Sequence, residues 1–136
     1  LRDDPSRIPD AVQEAVRLYS PAHFGLPRVT TEAVEIDGVN LPAGSPLIAV
    51  WAAGNRDPNV FDDPDHFDID RPNLVKQTGF GFGPHVCIGR RLAEMEAERM
   101  FQEIVARLPD YELAEEPQIG ASFTRGYTSL RLRRKS

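Results

Sequence analysis

The chain has 136 residues, 40% of them hydrophobic and 27% charged, with a net charge of −5. That balance excludes a disordered or membrane-embedded chain, and the negative charge argues against general nucleic-acid binding. A single cysteine, Cys87, excludes internal disulfides and points to a reducing compartment, here the cytoplasm.

The opening, LRDDPSRIPD, carries no signal-peptide pattern, and the longest apolar stretch, Pro46 to Gly54, is too short to span a bilayer. Residues 9–19 predict a helix. Pro9 suits its first position, Val12, Ala15, Val16 and Tyr19 form an apolar stripe, and Ser20-Pro21 ends it. Glu14 and Arg17 share one face of that helix. Residues 34–41 predict a hairpin, with Val34 and Ile36 alternating before an Asp37-Gly38 turn and Val39 and Leu41 after it. The run Leu47 to Trp51 then reads as a buried strand.

Residues 55–86 read as irregular, because prolines and aspartates break every period. Val60, Phe61, Phe67 and Ile69 are placed to pin this long segment to a core. Residues 88–108 predict the strongest helix, with an apolar band from Ile88, Leu92, Met95, Met100, Phe101, Ile104, Val105 and Leu108. Glu94 to Glu98 and Arg99 to Glu103 fall on its other side, and Pro109 closes it. From Tyr111 the chain reads as short strands, with turns at Glu116-Pro117 and Gly126. The terminal RLRRKS reads as a solvated cationic end.

The most informative segment is FGFGPHVCIG, residues 80–89. Gly81 and Gly83 permit sharp turns and close approach of a flat ligand. Cys87 lies just ahead of the long helix, whose N-terminal N–H groups and dipole favour a thiolate. Gly89 leaves room in the first turn for something bulky. One thiolate in a glycine-rich loop suits a metal that takes one protein ligand and has a macrocycle for the rest. Three other readings remain at this point. Cys87 is a small buried hydrophobe, or a nucleophile with His85 as base, or one ligand of a zinc site drawn from His23, His66 and His85.

The same segment resembles the cysteine-loop signature of the cytochrome P-450 superfamily, the haem-thiolate monooxygenases. Phe80, Gly83, Cys87 and Gly89 fill its fixed positions. EAVR, with Glu14 and Arg17, resembles the family's Glu-x-x-Arg helix. Arg71 in FDIDRP resembles the arginine that completes that ion-pair network, and Arg56 in NRDP the start of the family's meander. The resemblance extends over essentially the whole chain and corresponds to the C-terminal third of a full-length member.

It implies an α+β unit, the C-terminal part of the mainly-α cytochrome P-450 fold. Its stretches would be a helix and β region over 1–50, a meander over 51–79, the cysteine loop over 80–89, a long helix over 90–108 and a β region over 109–136. It implies haem b as cofactor, with Cys87 as axial ligand to iron, Phe80 beside the sulfur, and Gly81, Ile88, Gly89 and Ala93 along the haem. His85 and Arg28 would hold the propionates, and Glu14, Arg17 and Arg71 would form a buried network fixing the loop. His23, Phe24 and Gly25 match one substrate-lining segment, and Ser122 to Tyr127, including Tyr127, another. Arg90 and Arg91 would meet an acidic redox partner of ferredoxin or flavoprotein type.

The resemblance begins at the Glu-x-x-Arg helix, so the oxygen-activating residues of the family's distal helix are expected to lie outside this chain. The function implied is the haem-binding part of an enzyme that inserts one atom of O2 into a small hydrophobic organic substrate. The chain alone is expected to be inactive and to self-associate through its haem-facing apolar surface. The alternatives are a non-catalytic haem-binding remnant, and a Cys/His redox or hydrolytic protein without haem.

Overall fold

A computed structural model describes residues 1–108, 110–120 and 124–135. After a 3-10 turn over Pro5–Arg7, helix α1 runs Ile8–Tyr19. Pro9 occupies its first turn, where a missing N–H costs nothing. Ser20 ends the helix in a left-handed conformation, φ 38°, and its hydroxyl donates to the Arg17 carbonyl at 2.8 Å.

Four two-stranded antiparallel ladders follow the chain. The pair β1 (Arg28–Val29) and β4 (Pro46–Leu47) encloses the hairpin of β2 (Val34–Ile36) and β3 (Val39–Leu41). Val34 faces Leu41 and Ile36 faces Val39, and the Asp37-Gly38 turn has positive φ at both residues, as expected. After helix α3 (Arg90–Arg107), β5 (Tyr111–Leu113) pairs β8 (Leu132–Arg134), and β6 (Gln118–Gly120) pairs β7 (Gly126–Ser129) with a bulge at Gln118/Ile119. Gly126 thus opens a strand rather than making a turn. An Ala22–Thr124 bridge and an Arg125 N–H bond to the Pro21 carbonyl at 2.7 Å bring this end back to the loop after α1.

Ladders this short bury little. Among the described residues the apolar core is Ile8, Ala11, Val12 and Leu18 of α1, together with Phe61. Phe61 anchors the irregular segment as expected, fully buried with the Arg17 guanidinium 5.2 Å from its ring centre. Val60 and Ile69 are half-buried, and Phe67 is exposed rather than a buried anchor.

Two expectations need larger correction. The run Leu47 to Trp51 is not a buried strand: Pro46–Leu47 pairs only with β1, and Ile48 and Val50 are exposed. The Ala49 carbonyl accepts from Gly25 N–H, and the chain then coils into a single helical turn, α2 (Trp51–Gly54), whose Ala52 N–H bonds the His23 carbonyl. With no third strand among the described residues to pair, the apolar residues follow local hydrogen bonding. The long helix starts at Arg90, capped by Gly89, so Ile88 lies outside it. Its apolar band is not a core face: Leu92, Met95, Met100 and Leu108 are exposed, and among its described residues Glu94 is the one that is buried. The contact between α3 and α1 includes a polar bond, from Gln13 to Glu94. Pro109 lies outside the described residues.

Phe61 is the one core side chain that the irregular segment contributes. Phe61→Ala is expected to cost about 3–5 kcal/mol, read as a lower urea midpoint at an unchanged slope.

Candidate functional site

The cysteine loop is a compact hydrogen-bonded turn. Gly81 N–H donates to the Thr78 carbonyl at 2.8 Å, a 3-10 turn spans Gly83–His85, and Cys87 N–H returns to the Phe80 carbonyl at 2.8 Å. Gly81 and Gly83 hold φ of 78° and 68°, which accounts for glycine at both. Arg90 N–H bonds the Cys87 carbonyl at 3.1 Å, joining the loop to α3, and a Cβ added at Gly89 would meet nothing closer than the Cys87 Sγ at 3.8 Å.

The thiol of Cys87 is exposed, which removes its reading as a small buried hydrophobe. It opens on a cleft of about 600 Å³ whose walls include Val16, Phe24, Gly25, Trp51 and Phe80. Two cation-capable side chains, Arg28 and His85, line the same cleft. The Arg28 guanidinium donates only to the neighbouring Leu26 and Pro27 carbonyls, both at 3.2 Å, and has no acidic partner among the described residues. Gly25 is required by close approach, since a Cβ there would sit 2.9 Å from the Trp51 ring. Gly79, which sequence reasoning passed over, is required too: its Cβ would lie 2.5 Å from Val16 Cγ1, so it lets the loop root press against α1.

Behind the loop lies a buried ion-pair network. Arg17 grips Glu14 with two parallel bonds, Nε to Oε2 and Nη2 to Oε1, both 2.7 Å, and neither side chain is exposed. Arg71 Nε reaches Glu14 Oε1 at 3.4 Å, and Asp68 N–H donates to the same oxygen at 2.9 Å. The guanidinium groups spend their other donors on backbone. Arg17 serves the carbonyls of Asn55 at 2.7 Å, Pro64 at 2.8 Å and His66 at 3.1 Å. Arg71 serves those of Asp62, Asp63 and His66. An exposed helix pair would be worth little, and burial with every donor satisfied makes this one structural.

Asn55 carries the network to the loop. Fully buried, it donates to Ser20 Oγ at 2.9 Å and accepts from Thr78 N–H at 2.6 Å, one residue ahead of Gly79. A second cluster flanks the first. Gln13 donates to Glu94 Oε1 at 2.9 Å and accepts from Gln77 at 3.1 Å, and Gln77 accepts from Gly79 N–H at 2.6 Å. Glu94 also accepts from Arg90 Nε at 2.7 Å and Arg91 Nη1 at 3.2 Å. The residues that sequence reasoning missed are therefore Asn55, Thr78, Gln13, Gln77 and Glu94. Asn55 stood beside the singled-out Arg56, which itself pairs with Asp65 and donates to the Leu18 carbonyl at 3.0 Å.

Cys87, His85, Phe80, Gly81, Arg28, Phe24 and Gly25 thus meet at one cleft. Ile88 and Ala93 are exposed outside its walls, and Gly89 caps α3 beside the thiol. His23 contributes only its carbonyl, to Ala52, and Tyr127 lines a separate small pocket with Tyr19 and Ile119. Ser122 lies outside the described residues. No His85–Cys87 hydrogen bond forms among the described residues, and no three His, Cys, Asp or Glu side chains among them gather to hold an ion. A zinc site built on protein ligands therefore has no support among the described residues. A planar group with its own metal and acidic arms fits: one exposed thiol, apolar walls, glycines of close approach and two donors at the rim.

The family model described as Cytochrome P450 matches residues 8–118. Cytochrome P450 107B1 of Saccharopolyspora erythraea is 40% identical over 117 residues, 86% of this chain and 29% of the relative. Beta-dihydromenaquinone-9 omega-hydroxylase of Mycobacterium tuberculosis is 38% identical over 133 residues, 97% of this chain and 27% of the relative. Among solved structures, P450BioI in complex with hexadec-9Z-enoic acid ligated acyl carrier protein superposes with a TM-score of 0.92 at 36% identity, over 99% of this chain and 35% of that one. Cytochrome P450-153 from Novosphingobium aromaticivorans gives 0.90 at 33% identity, over 99% and 34%. The chain spans under a third of the length of these curated relatives.

Burial pushes the Glu14 carboxyl up, but the Arg17 bonds, the Asp68 N–H and the charges of Arg17 and Arg71 outweigh it and hold it below the ordinary 4.5. Glu94 follows the same pattern: burial raises it, and Arg90, Gln13 and Arg91 bring it below 4.5. Both groups bind fewer protons folded than unfolded, so their stabilisation is complete above the ordinary value and is lost as pH falls through it toward the depressed ones. Denaturant midpoints are expected to match at about pH 7 and about pH 5.5 and to fall steeply near pH 3. Arg17→Ala, which strands a buried carboxylate, is expected to cost about 3–5 kcal/mol at neutral pH.

Proposed function

The chain belongs to the cytochrome P450 family, whose members bind haem b, and we propose that it forms the proximal wall of a haem-thiolate monooxygenase site. The observation that carries this reading is the exposed Cys87 thiol facing an apolar cleft with two unopposed donors at its rim. Cys87 would ligate the iron as thiolate. Arg28 would grip a propionate, a carboxylate matched by a guanidinium fork, and His85 would hydrogen-bond the other. Phe80 and Gly81 would lie along the macrocycle beside the sulfur, with Trp51 and Val16 closing that wall against water. Bound there, haem supplies the redox chemistry by which one atom of O2 enters an organic substrate.

The residues of this chain hold and insulate that group, and the buried networks keep the loop from yielding when it is loaded. Phe24 and Gly25, which line the cleft, would touch a small hydrophobic substrate. Ile88, Gly89 and Ala93, outside or beside the cleft walls, would contact the proximal side more loosely. Glu14, Arg17 and Arg71 act through the loop rather than on the haem.

Electrons would come from a ferredoxin- or flavoprotein-type partner. Arg90 and Arg91 offer it less charge than their number suggests, since both pair with Glu94. No helix among the described residues is long and apolar enough to cross a membrane. A cytoplasmic setting is proposed on the single, unpaired cysteine. The exposed apolar residues beside the loop, Phe82, Val86, Ile88 and Leu92, would drive self-association of this chain on its own.

Haemin titrated into the polypeptide carrying these residues is expected to bind at about one equivalent. Its reduced carbon monoxide complex should show the strongly red-shifted Soret band of thiolate ligation, absent from Cys87→Ala. Identical spectra for the two would refute the assignment. Arg17→Ala is expected to abolish haem incorporation, and normal haem content in that variant would remove the network from the site.

A further inference from the structure

Helix α3 is amphipathic in an unexpected sense, because its buried residue is a carboxylate. Glu94 is 6% exposed, and the side chains that satisfy it come from two directions. Gln13 of α1 donates from one side at 2.9 Å, and Arg90, one turn earlier on α3, donates its Nε from the other at 2.7 Å. A carboxylate that only tied two helices together would need the first contact alone. The second fixes the orientation of a guanidinium that is itself more than one-third exposed and otherwise able to swing into solvent.

That guanidinium lies over the Phe80 ring, 5.5 Å from its centre. Phe80 in turn accepts the Cys87 N–H on its carbonyl at 2.8 Å and shares the cleft wall with the Cys87 thiol. Gly79, covalently next to Phe80, donates to Gln77 at 2.6 Å, and Gln77 donates to Gln13 at 3.1 Å. The contacts close a ring: Gln13, Glu94, Arg90, Phe80, Gly79, Gln77 and back to Gln13. This ring stands apart from the Glu14–Arg17–Arg71 network, with which it shares none of its side chains.

We infer that Glu94 is a positioning residue for the Cys87 site, holding Arg90 across the Phe80 ring and so fixing the ring against the cysteine loop. The inference deepens the haem-thiolate reading and rests on it for its meaning. Its physical content does not need haem. A guanidinium over a ring face gains from the ring's quadrupole only while the two stay aligned, and alignment comes from the planar Nε–carboxylate bond. Glu94 has a second effect through its charge. It offsets one of the two charges of Arg90 and Arg91, so its loss leaves a second unbalanced cation one turn from the thiolate and favours whichever state of the site carries more negative charge.

Cys87 is the single cysteine of the chain, so its alkylation by iodoacetamide at one fixed pH reads the loop through both thiolate fraction and geometry, and Arg90→Lys, which keeps the charge, reads the geometry by itself. Glu94→Ala and Arg90→Lys are each expected to raise that rate threefold or more over the unchanged chain, and Glu94→Gln, which keeps one acceptor, to raise it less. Arg90→Lys keeps the charge and loses the flat fork. Glu96→Ala, exposed on the same helix, is expected to match the unchanged chain. The two conservative variants decide the matter where Glu94→Ala does not fold by circular dichroism. A folded Arg90→Lys or Glu94→Ala alkylated at the unchanged rate overturns the inference, whatever its thermal stability.

In the haem-loaded protein, Glu94→Gln is expected to shift the reduction equilibrium at least threefold toward the reduced form, an upward move of about 28 mV at 59 mV per decade. An unmoved potential in a loaded Glu94→Gln would remove the electrostatic half of the inference. Failure of the unchanged protein to take up haem would instead defeat the haem-thiolate reading, and the alkylation rates would still judge the ring.

Discussion

The fold depends on one buried ion pair. Glu14 and Arg17 sit one turn apart on α1, both wholly shielded from solvent, in a chain whose described apolar core is five side chains. Removing two charges from water costs several kcal/mol each, and their attraction alone does not guarantee repayment. Here the return comes from the backbone. Arg17 and Arg71 together satisfy the carbonyls of Asn55, Asp62, Asp63, Pro64 and His66, and Glu14 takes the Asp68 N–H. Those groups belong to an irregular segment with no ladder or α-helix of its own, and buried peptide groups must find partners somewhere. The guanidinium fork supplies donors where secondary structure does not.

This explains why an irregular stretch of some thirty residues holds a defined shape. Arg7 adds a peripheral strap, bonding Asp70 at 2.6 Å and the Ile69 carbonyl at 3.0 Å, and Phe61 inserts beneath Arg17. Asn55 then hands the constraint to Thr78, at the root of the cysteine loop. Rigidity at the thiol is thus built from side-chain-to-backbone bonds radiating from α1. An apolar core under the loop would be a poorer device, since the loop must present its own apolar side outward, and Phe82, Val86 and Ile88 are exposed there.

Much of this was legible in the residues. Glu14, Arg17 and Arg71, the Asp37-Gly38 hairpin, the two glycines of positive φ and Cys87 ahead of α3 are local patterns whose chemistry travels with their spacing. What stayed hidden were partnerships across sequence distance. Nothing in the spacing says that Gln13 meets Gln77 and Glu94, or that Asn55 meets Thr78, because an amide reads the same whether buried or solvated. Two apolar patterns misled for a related reason. The run Leu47 to Trp51 has the composition of a buried strand, and the band of Leu92, Met95 and Met100 has the period of a core helix. Period reports that a face is apolar, not that this chain covers it, and the residue of α3 that is buried is Glu94, bonded to Gln13 of α1.

The charge of the chain and the charge of its site have opposite signs. Overall the sequence is −5, with many of its acids in the solvated meander at Asp62, Asp63, Asp65, Asp68 and Asp70. Around the loop the balance reverses. Glu14 with Arg17 and Arg71 leaves one positive charge uncompensated, and Glu94 with Arg90 and Arg91 leaves another. Arg28 adds a third at the rim of the cleft, with no acidic partner among the described residues. The charge shared by Arg17 and Arg71 is buried, so solvent and salt screen it less than a surface patch, whereas Arg91 stands in solvent. A thiolate and a pair of carboxylate arms would both be drawn to such a frame. The acidic partners inside each network do not cancel that field. They fix where the positive charge sits, and for a loop that must hold one sulfur in place, fixed charge matters more than its amount.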